Sequence, residues 1–225
     1  MARKVGMLHT VASLVPIFNQ LVTELMPGVE VIHLVDEGIL KDARAAGGLT
    51  PNMPSRVGIL ASFVQESGAE AIMLTCSTIG PSVEAARSHV RVPFIRVDEA
   101  MADEAVANGK RIGVIATLFT TLKPTADLIV QRAAIAGKQV EVETVLCQGA
   151  FEALGAGKTD VHDRVVKEHL KELMERVDVV VLAQASMARV ADQFSPAERK
   201  APILSSPRLG VLRLRGVLES LKQEA

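Results

Sequence analysis

Apolar residues fall into two kinds of run along this chain. Short, nearly continuous blocks occur at "VGMLHT" (5–10), "VEVIHLV" (29–35), "AEAIMLT" (69–75) and "VPFIRV" (92–97), the pattern of strands buried on both faces. Between them the spacing changes. Val11, Leu14, Val15, Phe18, Leu21, Val22 and Leu25 recur at three and four, predicting a helix over 11–26 that Pro27-Gly28 ends. A Gly/Pro/Asn-rich loop is predicted at 45–54, with helices over about 55–67 and after Pro81. The second half continues the alternation. "RIGVIAT" (111–117), "VEVETVL" (140–146), "DVVVLAQ" (178–184) and "PILSS" (202–206) read as strands. Leu122, Ala126, Ile129, Val130 and Ala133 mark one helix, and another is predicted near 161–176. Alternation of this kind predicts parallel sheets covered on both faces, because every parallel connection needs a crossover.

The pattern also repeats. "RKVGMLHTVASLVP" at 3–16 and "KRIGVIATLFTTLKP" at 110–124 share basic residues, a β-branched residue, Gly, an apolar run and Thr, and Gly6 and Gly113 lie 107 residues apart. The expected fold class is therefore α/β, with two similar doubly wound parallel-sheet halves in a pseudo-twofold repeat and a cleft between them. The predicted lobes are 1–98 plus 207–225 and 99–206. The opening "MARKVGMLHTVASLVPIF" has the outline of a secretory signal peptide, but its recurrence in the interior marks it as structure.

Composition narrows the partners. The chain has 225 residues and a formal net charge of −1, and no basic cluster is interleaved with aromatics, so neither nucleic acid nor membrane is an expected partner. A small-molecule substrate is expected instead. Two cysteines, Cys76 and Cys147, without CxxC or zinc-type Cys/His spacing, argue against a disulfide scaffold and a metal site. A cytoplasmic location fits such cysteine usage.

Candidate chemistry gathers where predicted strands end, which is where open α/β sheets bind ligands. His9 and Thr10 end the first strand, Thr75, Cys76, Ser77 and Thr78 the third, and Thr117, Thr120, Thr121, Gln184 and Ser186 their second-half counterparts. If the halves face each other, these clusters meet. Pro81 is expected in the first turn of a helix whose N–H groups lower the Cys76 pKa, making a thiolate base or nucleophile. A buried, inert Cys76 is the alternative. His9 is either a ligand contact or a packed, hydrogen-bonded residue, and Cys147 either a buried structural thiol or a second thiol near the cleft. Asp36 and Glu37 read as solvent-facing or capping, and His162 and His169 as a solvated helix face. "GAGKTD" at 155–160 lacks the first Gly of a phosphate loop, where Glu152 stands, and a suitable preceding strand.

The "TCS" strand end, "IGVIATLFTT" and "VVVLAQASM" together resemble the aspartate/glutamate/hydantoin racemase superfamily over nearly the whole chain. The resemblance implies cofactor-independent proton transfer between two facing cysteines, often in a homo-oligomer. Cys76 matches the first cysteine, while Gln184 stands where relatives carry the second. Gln does not titrate near neutrality, so a symmetric two-base mechanism is in question. The expected function is proton transfer by a single Cys76 thiolate at the acidic carbon of a small carboxylate or hydantoin-like substrate. Thr10, Asn52, Ser77, Thr78, Thr117, Thr120 and Thr121 are the expected binding donors and Gln184 a polar contact. Arylmalonate-type decarboxylation and a retired small-anion binding protein are the alternatives.

Overall fold

A computed structural model describes residues 2–221. Their contacts divide them into two compact units, one running to Asp98 and resuming at Pro207, the other continuous over Glu99–Ser206.

In the first unit the chain runs through β1 (Lys4–His9), α1 (Val15–Leu25), β2 (Glu30–Val35), α2 (Glu37–Ala45), α3 (Met53–Glu66), β3 (Ala71–Leu74), α4 (Ser82–Ala86) and β4 (Phe94–Arg96), and it closes with α10 (Ser206–Ser220). The four strands are parallel in the order β2-β1-β3-β4. Side-chain alternation then sorts the core into two layers. Val5, Met7, Ala71 and Met73 face Phe18 and Val22 of α1 and Val211, Leu214 and Leu218 of α10. Leu8, Ile72 and Leu74 face Ile39 of α2, Val57, Ala61 and Val64 of α3 and Val83 of α4. Burial on both faces is why the central strands β1 and β3 are almost wholly apolar.

The second unit repeats the plan with α5 (Glu99–Asn108), β5 (Arg111–Ala116), α6 (Phe119–Ile135), β6 (Glu141–Leu146), α7 (Ala150–Gly155), α8 (Thr159–Met174), β7 (Val179–Leu182), α9 (Ala188–Ala191) and β8 (Ile203–Ser205). Its sheet has the order β6-β5-β7-β8, again all parallel. Ile115, Val180 and Leu182 pack with Val166, Leu170 and Leu173 of α8. The fold is α/β with two similar parallel-sheet halves.

Some details depart from the sequence reading. The first helix begins at Val15, after a 3-10 turn over Ala12–Leu14. The segment after Pro81 gives only the five-residue α4, with Pro81 as its N-cap, because a turn occupies 77–81. His162 is fully buried rather than on a solvated face. Gly155 ends α7 and Gly157 lies in the link to α8. No described helix is long and apolar enough to cross a membrane.

Candidate active site

Each sheet reverses its strand order beside its first strand, between β1 and β3 in one unit and between β5 and β7 in the other. Loops leaving the two strands at such a point diverge and open a crevice at their carboxyl ends. In the first unit Leu8 pairs with Leu74, and Leu74 with Arg96. The next residues on that face are Thr10, Cys76 and Asp98. In the second unit Ile115 pairs with Leu182, so Thr117 and Gln184 follow in the same way. Gln184 thus holds the register position in its unit that Cys76 holds in the other.

Cys76 is half-buried and packs against the α2–α3 core layer. Burial pushes its thiol above the ordinary value, and hydrogen bonds from the Thr10 hydroxyl, the Ile79 and Thr78 N–H groups and the Thr78 hydroxyl pull the other way. The net direction is upward. This corrects the expectation of a thiol acidified by a helix: α4 is too short and starts too late, and the donors come instead from the 77–81 turn and from Thr10. Ser77 is buried, and its carbonyl accepts from the Gly80 N–H at 3.1 Å.

His9 resolves as a packed residue. It is 1% exposed, its ring lies 5.6 Å from that of Phe18, and both nitrogens are engaged. Thr75 Oγ1 donates to Leu8 O (3.0 Å) and lies 2.9 Å from His9 Nδ1. With that single hydroxyl proton spent, His9 must donate from Nδ1 and accept at Nε2, where His33 Nδ1 stands at 2.9 Å. Both rings are then neutral. Burial, then the charge of a protonated His33, lowers the His9 pKa to about 4, and burial lowers that of His33. The His33 Nε2 atom is buried without a partner. His33 escaped the sequence reading because "VEVIHLV" reads as an ordinary strand; its place opposite Met7, one alternation from His9, is visible only in the register.

In the second unit Gln184 is folded onto the end of β5. Its Oε1 accepts from the Thr117 N–H (2.5 Å), the Thr117 hydroxyl (3.0 Å) and the Leu118 N–H (3.2 Å). The expectation that Thr117 offers a free donor is therefore corrected, since Gln184 already takes its hydroxyl and its amide. Thr120 keeps a buried hydroxyl without a partner among the described residues. Thr121 is buried in the first turns of α6, and Ser186 is half-buried in a 3-10 turn over Ala185–Met187. Asn52 is exposed ahead of α3, where its Oδ1 accepts from the Thr50 hydroxyl at 2.5 Å. Cys147 is enclosed in the α7–α8 core, its pKa pushed up to about 12 by burial, which fits the structural reading. Asp36 caps α2 through Ile39 N, and Glu37 accepts from Ala12 N. Among the described residues no group of three or more His, Cys, Asp or Glu is placed to hold a metal ion.

The Asp/Glu/Hydantoin racemase family model matches residues 10–214. The chain belongs to that family. Solved structures similar to this racemase-family chain include glutamate racemase isoform RacE1 from Bacillus anthracis, at 15% identity and TM-score 0.72, covering 97% of this chain and 82% of that one. Allantoin racemase from Klebsiella pneumoniae is 18% identical at TM-score 0.71, covering 96% and 88%. An aspartate racemase from Picrophilus torridus is 11% identical at 0.69, covering 96% and 94%. No curated protein matches in sequence. At such identities the structural likeness speaks for the fold.

Proposed function

We propose that this racemase-family chain is a cofactor-independent isomerase that moves a proton at the acidic carbon of a small carboxylate or hydantoin-like substrate, with Cys76 as its single catalytic thiol. The observation carrying this reading is Cys76 itself, at the switch point of a parallel sheet within a set of hydroxyl and N–H donors. Its thiolate takes the proton, and the electron pair passes into the adjoining carbonyl or carboxylate. The thiol then returns a proton either to that carbon on the same face, which exchanges it with retained configuration, or to another atom of the delocalised anion, which gives the isomer. The Thr10 and Thr78 hydroxyls, donated to the sulfur, steady the thiolate, and Ser77 beside it is the donor for the charge that develops on the substrate, a form of stabilisation usually worth several kcal/mol. Gln184, at the equivalent register of the other unit, supplies no base.

A thiol whose pKa is raised by burial makes a scarce but strong base, and in its protonated form a competent acid toward a carbanion. Below that pKa the thiolate fraction grows tenfold per pH unit. kcat/KM is therefore expected to climb through and above neutrality rather than level off, which a rate profile from pH 6 to 10 would check.

The direct test is proton NMR in D₂O with aspartate, glutamate, allantoin and substituted hydantoins. The expected result is solvent exchange at the acidic carbon with retained configuration for at least one of them, reduced by about 10² to 10⁴ in Cys76→Ser. Undiminished exchange in that variant, or none in the unaltered protein with any of these compounds, would overturn the reading.

A further inference from the structure

The Cys76 loop rests on a buried ion pair that the chemistry above does not use. Arg96, the last residue of β4, is 8% exposed, and Asp98 is fully buried. The Arg96 Nε and Nη2 donate to the two carboxylate oxygens of Asp98, each at 2.9 Å. Removing both charges from water is expensive, and such pairs often stabilise no more than an apolar replacement would. Its placement suggests what it does. A Cβ built on Gly80 would lie 2.6 Å from Arg96 Nε and Nη2 and 2.7 Å from Cζ, so the guanidinium occupies the space that any side chain at position 80 would need. Gly80 has no positive φ, so its backbone conformation does not call for glycine. Room for the guanidinium does.

The residues around Gly80 form one bonded turn. Gly80 N–H donates to Ser77 O (3.1 Å), Ser82 N–H to Ile79 O (2.9 Å) and Val83 N–H to Gly80 O (3.0 Å). Inside that turn sit the Thr78 and Ile79 N–H groups that bond Cys76. We propose that Arg96, held in place by Asp98, is the positioning residue of the active-site thiol: its guanidinium is the wall on which the Ser77–Pro81 turn rests through Gly80, and this contact fixes where the Thr78 and Ile79 N–H groups meet the sulfur. The assignment rests on the reading of Cys76 as the reacting group, yet it can be tested without turnover.

Two variants separate positioning from mere stability. Arg96→Lys keeps the charge beside Asp98 and loses the planar fork. Gly80→Ala keeps both charged residues but drives a methyl into the space of the guanidinium, so that the guanidinium or the turn must shift, and it serves even if the first variant folds poorly. The readouts are the pH midpoint of Cys76 alkylation by iodoacetamide, resolved from Cys147 by peptide mass spectrometry, and amide hydrogen exchange at Thr78 and Ile79. Each variant is expected to lower the thiolate fraction about tenfold at a fixed pH below the midpoint and to speed both exchange rates. In the double variant the effects should be clearly less than multiplicative, because both act through one contact. Unchanged alkylation midpoints and exchange rates in both single variants, or fully independent effects, would overturn the proposal. Failure of the Cys76 reading would show differently, as a normal alkylation profile in a protein that exchanges no carbon-bound proton.

Discussion

At the scale of single residues, two side chains govern how the strand ends respond to conditions. His9 is neutral in the folded protein down to about pH 4, while an unfolded histidine begins to bind a proton near 6.5. Between those values the unfolded state holds more protons, so stability falls as pH drops through that window and is at full strength above it. The loss from His9 is on the order of 3 kcal/mol; urea melts at pH 7 and pH 4.5 should show it, and His9→Gln should flatten it. Gln184 is the second case. In Gln184→Ala the Thr117 and Leu118 N–H groups lose their acceptor, a cost of roughly 1–3 kcal/mol unless water replaces it, measurable by thermal unfolding. The strand-end positions of Cys76 and Gln184 were legible from abrupt apolar-to-polar changes in the sequence. What those side chains bond to was not. The Gln184 partners Thr117 and Leu118 follow the neighbouring strand, 67 and 66 residues away, and the Cys76 donors are Thr10, beyond the end of its neighbouring strand, and the Thr78 and Ile79 groups of a turn where a helix start was expected.

At the scale of elements, the repeated Gly of the two opening strands has one physical job. A Cβ on Gly6 would lie 2.0 Å from Val64 Cγ1 of α3, and one on Gly113 would lie 2.8 Å from Leu173 Cγ and Cδ2 of α8. Neither glycine has positive φ, so close helix–strand packing is what both provide. Gly6→Ala is expected to destabilise by about 1–3 kcal/mol in denaturant melts, as overpacked cores do. Gly113→Ala should cost less, since the tip of Leu173 can turn aside and β-branched Val64 cannot. Strands and the longer helices α3, α6 and α8 were readable because each spans enough residues to establish a period. Helices α2, α5, α7, α9 and α10 formed no part of the predicted pattern. α5 is rich in Ala, which blurs the contrast between buried and exposed faces, and α7 and α9 are only six and four residues long. The short α4 misled in the other direction, since its first residues are spent on the turn that holds Cys76.

At the scale of the molecule, one unit is interrupted by the other in sequence. Glu99–Ser206 carries its own four-stranded sheet and apolar core, and it is expected to fold when expressed alone, giving a dispersed amide NMR spectrum. The first unit is expected to need α10, since Val211, Leu214 and Leu218 cover Val5, Met7 and Met73. This arrangement sets a timetable on the ribosome. β1 and β3 are made early, but the helix that covers one of their faces follows a whole intervening unit, which at roughly 5–20 residues per second takes on the order of ten seconds to synthesise. For that interval the growing chain carries a sheet with one face covered by α1 alone, leaving aliphatic side chains in the open, a surface suited to a chaperone.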